Sequence, residues 1–261
     1  YSIGIDSGST ATKGILLADG VITRRFLVPT PFRPATAITE AWETLREGLE
    51  TTPFLTLTGY GRQLVDFADK QVTEISCHGL GARFLAPATR AVIDIGGQDS
   101  KVIQLDDDGN LCDFLMNDKC AAGTGRFLEM MAKTLGLSLE EMSVKGLEWK
   151  HNIVISSMCT VFAESEVVSL VAQNKDVADI IHGLNVSVAS KVGALAARLG
   201  KDHPGEYMMT GGVAKNQGII QALEEKLGAK LYICDEAQLC GALGAALFAY
   251  EKCKGSAEET R

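Results

Sequence analysis

The chain has 261 residues, of which 46% are hydrophobic and 22% charged, and its formal net charge is -8. This length fits one large domain or two small ones, and the composition supplies a core and argues against disorder. The acidity and the absence of a Lys/Arg run argue against a nucleic-acid partner. No segment approaches the roughly 18 apolar residues of a membrane span. The first strand is apolar and no basic leader precedes it, so we expect a cytoplasmic protein with no membrane partner.

The seven cysteines bear on redox state and metal binding. An odd number with irregular spacing in a chain of this length argues against a disulfide framework. The sequence contains no Cys-x-x-Cys pair, which excludes zinc-finger and thioredoxin-type motifs. A metal site must therefore combine cysteines that are distant in the sequence, or cysteines from two chains.

The first part of the chain predicts a strand meander followed by alternating helices and strands. Short runs of alternating apolar residues predict the strands, and spacing of 3 to 4 residues predicts the helices. A Gly/Ser turn separates the first two strands. The predicted elements are strands over 1–6, 13–18 and 21–28, a helix over 35–49, a strand over 54–58 and a helix over 75–85.

The opening pattern then returns, with strands predicted over 91–95, 101–105 and 111–116. Such an internal repeat predicts an α/β fold of duplicated βββαβα units, with a nucleotide cleft between the two halves. We expect a first half of 1–89 plus 241–261 and a second half of 90–240. The remaining predicted elements are helices over 125–135, 161–173 and 177–198, a strand over 207–210, a helix over 216–227, a strand over 231–234 and a helix over 241–252.

Each predicted half carries a glycine turn that suits phosphate binding, because such turns expose backbone N–H groups to phosphate oxygens. The first turn follows Asp6 and precedes Lys13, and the second runs from Asp94 to Asp99. Alone, either turn can be an ordinary polar hairpin, but two in register favour a phosphate site. A third segment, residues 209–216, places two glycines where a base or ribose can approach. No Walker A or dinucleotide fingerprint is present.

These three segments, in this order, resemble the two phosphate motifs and the adenosine motif of the actin/Hsp70/sugar-kinase ATPase fold. Residues 116–127 and 155–166, which contain Cys120 and Cys159, are similar to the cysteine segments of the BadF/BadG/BcrA/BcrD ATPases. Within that family the resemblance is to activators of 2-hydroxyacyl-CoA dehydratases. It extends over essentially the whole chain.

The resemblance implies an oxygen-sensitive ATPase that passes electrons to a dehydratase-type iron-sulfur partner. Cys120 and Cys159 from each chain of a homodimer would hold one [4Fe-4S] cluster, with ATP and Mg²⁺ as further cofactors and ferredoxin or flavodoxin as donor. Each cysteine precedes a predicted helix, whose N-terminal partial positive charge favours thiolates. The alternative for both cysteines is a buried free thiol.

The resemblance also implies roles for individual residues. Asp6, Asp94 and Asp99 would hold Mg²⁺ or orient the attacking water. Glu164 or Glu166 would link the nucleotide pocket to the cluster, unless it is simply a carboxylate near a helix N-terminus. The other five cysteines are expected to be packing residues. Nucleotide contacts are expected from Ser9, Thr10, Ala11, Thr12, Lys13, Gly97, Gly212, Lys215 and Gln238.

Two other functions fit the same fold. A small-molecule kinase, acting on a sugar or amino sugar, needs a substrate hydroxyl and an Asp base but no iron. A non-catalytic redox sensor would use the cluster or the thiols to report oxygen. Cys120 and Cys159 separate these hypotheses, because a kinase should tolerate their replacement by serine.

Overall fold

The computed structural model describes residues 1–156, 159–199 and 207–258, and the side chains up to residue 253. The chain divides into two compact units. The first comprises Tyr1–Thr89, Leu105–Leu111 and Cys234–Arg261, and the second comprises Arg90–Gln104 and Cys112–Ile233.

Most strands lie where the sequence predicted them. The two-residue strand β5 was not predicted, and β10 is shorter than the expected strand over 231–234. The strands are β1 (Ser2–Ser7), β2 (Ala11–Ala18), β3 (Val21–Pro29), β4 (Phe54–Thr58), β5 (Lys70–Gln71), β6 (Ala91–Ile95), β7 (Ser100–Leu105), β8 (Leu111–Asn117), β9 (Tyr207–Thr210) and β10 (Leu231–Tyr232).

The predicted helices are also present, and the structure contains one helix, the fourth, that the sequence did not predict. Short 3-10 turns at Gly212–Lys215 and Ala237–Leu239 precede the last two helices. The helices are α1 (Pro34–Arg46), α2 (Glu74–Leu85), α3 (Gly125–Leu135), α4 (Leu139–Lys145), α5 (Thr160–Ala172), α6 (Val177–Leu199), α7 (Gln217–Leu227) and α8 (Cys240–Glu258).

The two sheets repeat one topology. Their strand orders are β3-β2-β1-β4-β5 and β8-β7-β6-β9-β10. In each, an antiparallel hairpin is followed by a parallel neighbour of its first strand. The register also repeats, because Asp6 lies opposite Lys13 and Asp94 lies opposite Lys101. The predicted duplication of an α/β unit is therefore confirmed.

The first sheet has an apolar core on each face. Ile38 and Leu45 of α1 pack on one face, in a cluster with Ile3 of β1. Leu243 of α8 packs in a second cluster with the side chains of β2. Helix α8 lies so close to β1 that a Cβ at Gly4 would overlap the helix backbone. A glycine is required at that position because only its missing side chain permits this approach.

Helix α6 corrects one expectation. Its 23 residues are long and apolar enough to cross a membrane by length and composition, with a mean hydropathy of 1.3 over 18 residues. The prediction that no segment approaches a membrane span is therefore wrong on those criteria. Within the second unit, however, 61% of that window is buried, because α6 packs on α7, α4 and α5. Burial of this kind is typical of a core helix.

Candidate nucleotide and cluster sites

The first glycine turn joins β1 to β2 and presents a paired acid and base. The Lys13 ammonium lies 2.9 Å from an Asp6 carboxylate oxygen, and the Asp6 side chain is only 5% exposed. The Gly8 N–H donates to the Ala11 carbonyl at 3.1 Å, which closes the turn. A Cβ at Gly8 would lie 3.0 Å from the Lys13 ammonium. The glycine therefore keeps the lysine head group accessible above the turn.

Thr30 and the backbone of residues 59–61 hold this loop in place. The Thr30 hydroxyl donates to the Gly8 carbonyl at 2.8 Å and also lies 3.0 Å from the Thr12 hydroxyl. Behind the loop, the Gly61 N–H donates to the Ser7 carbonyl at 3.0 Å. Gly59 has φ +82, and a Cβ there would lie 2.5 Å from an Asp6 oxygen. These contacts fix the loop that contains Ser9 and Thr10, both of which are partly exposed.

The second turn has the same geometry with one additional carboxylate. The Gly96 N–H donates to the Asp99 carbonyl at 3.0 Å, as Gly8 does to Ala11. The Lys101 ammonium lies 2.8 Å from Asp99 and 3.1 Å from Asp94. All three of these side chains are at most 5% exposed. The structure thus brings together the two predicted aspartates of this half and adds Lys101, which the sequence analysis did not select.

Thr210 and Gly211 complete the surroundings of Asp94. The Thr210 hydroxyl donates to the second Asp94 oxygen at 3.1 Å. Gly211 has φ +85, and a Cβ there would lie 2.7 Å from Asp94 and would overlap the Ile95 carbonyl. Only glycine combines this backbone conformation with this approach. The sequence signal for Lys101 was available, since its spacing from Asp94 equals that of Lys13 from Asp6.

The third predicted segment continues from Gly211 into a 3-10 turn and then α7. Gly212 and Lys215, both in this turn, are exposed. Asn216 caps α7, because its side-chain oxygen accepts the Ile219 N–H at 3.0 Å. In the first unit, Gln238 has a buried side-chain oxygen with no hydrogen-bond partner among the described residues. A buried acceptor of this kind favours a ligand or water donor.

Cys120 lies in a turn that one asparagine holds on both sides. The Asn117 amide nitrogen donates to the Cys120 carbonyl at 2.9 Å, and its oxygen accepts the Cys120 N–H at 3.2 Å. The Thr124 hydroxyl donates to the Ala121 carbonyl at 2.6 Å. The Cys120 side chain is exposed. These hydrogen bonds fix the backbone around Cys120 without using its thiol, which remains exposed.

Cys159 is the N-cap residue of α5 and is also exposed. Ser157 and Met158, which belong to the same predicted segment, lie outside the described residues. Ser156 comes directly before these two residues. The Glu166 carboxylate accepts hydrogen bonds from the Ser156 N–H at 3.0 Å and from the Ser156 hydroxyl at 3.1 Å. Glu166 thus ties the segment that leads to Cys159 back onto the helix that follows it.

Helix α3 connects the second glycine turn to the cysteine region. Its first two N–H groups, those of Gly125 and Arg126, donate to the Gly96 and Gly97 carbonyls, both at 2.8 Å. In its last turn, the Thr134 hydroxyl lies 3.1 Å from a carboxylate oxygen of Glu164 in α5 and 3.0 Å from the Met130 carbonyl, so its one proton is shared between these acceptors. Glu164 is beyond the first turn of α5, which holds no acidic residue. The alternative of a carboxylate at the helix N-terminus is therefore wrong for Glu164.

The other five cysteines divide by exposure. Burial raises the pKa of Cys77 to about 12, and Cys240 is buried with its thiol 3.5 Å from the His78 carbonyl. Cys234 and Cys253 are partly exposed. Cys112 is exposed on β8, so the expectation that it is a packing residue is wrong.

Two sheets of identical topology, each with a glycine turn beside an Asp–Lys pair, form the duplicated α/β unit of the actin and sugar-kinase ATPase fold. The profile of the BadF/BadG/BcrA/BcrD ATPase family matches residues 3–249. The chain belongs to this family.

The chain is also similar to individual proteins over nearly its whole length. The chain is 69% identical to the uncharacterized protein YjiL of Escherichia coli K12, over 95% of this chain and 96% of that protein. It is 48% identical to the (R)-2-hydroxyglutaryl-CoA dehydratase activating ATPase of Acidaminococcus fermentans, over 97% of this chain and 98% of that protein. The solved activator of the 2-hydroxyisocaproyl-CoA dehydratase from Clostridium difficile, with bound ADPNP, superposes with a TM-score of 0.93 at 42% identity, over 100% and 98%.

Proposed function

We propose that this protein is the ATP-dependent activator of a 2-hydroxyacyl-CoA dehydratase-type partner, and that it delivers electrons through a [4Fe-4S] cluster shared by a homodimer. The observation that carries the proposal is the placement of Cys120 and Cys159. Both thiols are exposed, and they stand ahead of α3 and α5 in a chain whose relatives include named dehydratase activators.

The donor set of one chain fits half of such a cluster. A cubane cluster takes four thiolates, and two chains related by a two-fold axis would contribute two each. Asn117 would hold the Cys120 backbone, and Glu166 would hold the segment before Cys159. The partial positive charge at the α5 N-terminus would stabilise the Cys159 thiolate. When bound, the cluster supplies a one-electron carrier.

The nucleotide contacts are proposed on the two glycine turns and the third segment. Backbone amides of the first turn, with the hydroxyls of Ser9, Thr10 and Thr12, would bind phosphate oxygens. Lys13 would add a positive charge. The proposed set is completed by Ala11, Gly97, Gly212, Lys215 and Gln238.

The three aspartates have distinct proposed tasks. Asp6 is held by Lys13, and Asp94 is held by both Lys101 and Thr210. These two carboxylates would position water or Mg²⁺ at the turns. Asp99 adds a negative charge that one buried lysine shares with Asp94, which favours a cation at the second turn.

The contacts of α3 suggest how nucleotide state reaches the cysteines. A shift of the Gly97 carbonyl would be felt by the Arg126 N–H, at the start of the helix that follows Cys120. The Thr134–Glu164 hydrogen bond would carry the shift to α5, whose cap is Cys159. Glu164 is therefore proposed as a coupling residue and not as a proton carrier.

The remaining parts of the proposal concern partners and location. The electron acceptor would be a dehydratase-type iron-sulfur protein, and the donor would be ferredoxin or flavodoxin. We propose a cytoplasmic, oxygen-sensitive homodimer.

The test is anaerobic purification followed by measurement of iron, acid-labile sulfide and mass in solution. A bridging cluster requires about two iron and two sulfide per chain in a dimer. Cys120→Ser and Cys159→Ser should each lose the iron, whereas the matched control Cys112→Ser should keep it. An iron-free wild-type protein that phosphorylates a sugar, with activity unchanged by Cys120→Ser, would refute the proposal and favour the kinase.

A further inference from the structure

Lys191 of α6 lies against the turn that carries Cys120. Its stem packs on Gly123, where a Cβ would lie 3.5 Å from the Lys191 Cβ and 3.7 Å from its Cδ. Gly123 has φ +97 and stands between Cys120 and the start of α3. The Lys191 ammonium lies 5.5 Å from the centroid of the Phe127 ring in α3. The side chain is half-buried, so its position is defined by packing.

The charge of Lys191 acts on both proposed ligands. Burial lowers the pKa of Lys191, and negative charge on Cys120 and Cys159, as in thiolate ligands of a cluster, would oppose that shift. The contact of its stem with Gly123 places the ammonium on the turn that carries Cys120.

We propose that Lys191 is a charge-compensating residue that raises the reduction potential of the cluster held by Cys120 and Cys159. The inference rests on the proposed function and adds a determinant of the electron-transfer step. In that step one electron is lost by the reduced ferredoxin or flavodoxin and gained by the cluster, and no bond forms or breaks. Each reduction adds a negative charge beside the ammonium, so the reduced state gains more from Lys191 than the oxidised state does.

Partial burial makes this effect large, because water screens a half-buried charge less than an exposed one. A two-fold dimer would contribute one Lys191 from each chain, so each variant would remove two cations at once. Field effects of this kind are among the determinants of iron-sulfur reduction potentials.

The experiment is an EPR-monitored potentiometric titration of the anaerobically purified full chain, with iron content and melting temperature measured on the same samples. Lys191→Met should make reduction at least tenfold less favourable, which is about 59 mV in a one-electron midpoint potential. Lys191→Arg should remain close to wild type. Lys133→Met, which removes an exposed lysine from the last turn of α3, is the matched control.

The outcomes separate this inference from the proposed function. A wild-type protein without iron would refute the proposed function. It would also refute the inference about Lys191, which requires the cluster. Iron-loaded Lys191→Met with an unshifted potential, or with a shift no larger than that of Lys133→Met, overturns the inference alone. If Lys191→Met loses iron, Lys191→Gln and Lys191→Arg decide. Loss in Met and Gln but not in Arg supports a role for the charge, whereas loss in all three indicates a packing role and overturns it.

Discussion

Replacing Lys101 by methionine would measure how much its buried ammonium stabilises the second glycine turn. The ammonium lies 2.8 Å from Asp99 and 3.1 Å from Asp94, and its side chain is 2% exposed. At an effective dielectric constant of about 20, each of these contacts is worth roughly 5–6 kcal/mol of Coulomb energy before desolvation. Removing one partner of a buried ion pair typically costs about 3–5 kcal/mol, because the remaining charge is left uncompensated.

The first turn supplies an internal comparison. Lys13 pairs with the Asp6 carboxylate, and its side chain is 15% exposed. We expect Lys13→Met to cost about 2 kcal/mol, in the range of a hydrogen bond to a charged group. The substitution Asp99→Asn in the Lys101→Met background should recover part of the larger loss, since it removes one of two buried like charges.

Urea unfolding at pH 7 would measure these differences through the midpoint at constant slope. A loss for Lys101→Met that is equal to or smaller than that for Lys13→Met would refute the reasoning. So would a double variant less stable than Lys101→Met alone.

Two further predictions follow from the backbone and from pKa values. Gly211→Ala should cost at least 2 kcal/mol in urea unfolding, because Gly211 has φ +85 and no room for a Cβ. The control Gly136→Ala, with φ +69 and open space, should cost only about 1 kcal/mol; equal losses would contradict the role of close approach. Burial lowers the pKa of His182, which stacks on Trp149 at 3.8 Å. The unfolded chain therefore binds the proton more tightly, and unfolding free energy should fall as pH drops below about 6.5. His182→Phe should remove this part of the pH dependence in a series of unfolding curves, and an unchanged slope would exclude His182 as its source.

The fold could be predicted from sequence largely because it is a repeat. The spacing between Asp6 and Lys13 recurs between Asp94 and Lys101. Within each pair, the two residues lie opposite each other in an antiparallel hairpin. Helix α4 was missed although its signal was present. Ser138 and Glu141 form a capping box at its start, and such a box marks a helix N-terminus. The helix is only 7 residues long, too short for apolar spacing to reveal.

The site was less predictable, because its supporting contacts join residues that are distant in sequence. Asn117 could have been selected, since it stands three residues before Cys120 and Asn side chains commonly bond nearby backbone groups. Thr134 and Glu164 are 30 positions apart, and nothing in the spacing links them. Lys191 lies on another helix altogether. Its relation to Cys120 depends on how α6 packs, and a pattern of single residues does not contain that information.

The Gly8–Ala11 and Gly96–Asp99 hydrogen bonds show that Ala11 and Asp99 occupy the same place in the repeated turn. In the first copy Asp6 pairs with Lys13, whereas in the second copy Lys101 pairs with both Asp94 and Asp99. If the turns bind phosphate as proposed, the additional carboxylate would disfavour a bare anion at the second turn and favour one that carries a divalent cation. The equivalent position, alanine in one turn and aspartate in the other, thus gives two turns with the same backbone hydrogen bond different electrostatic properties.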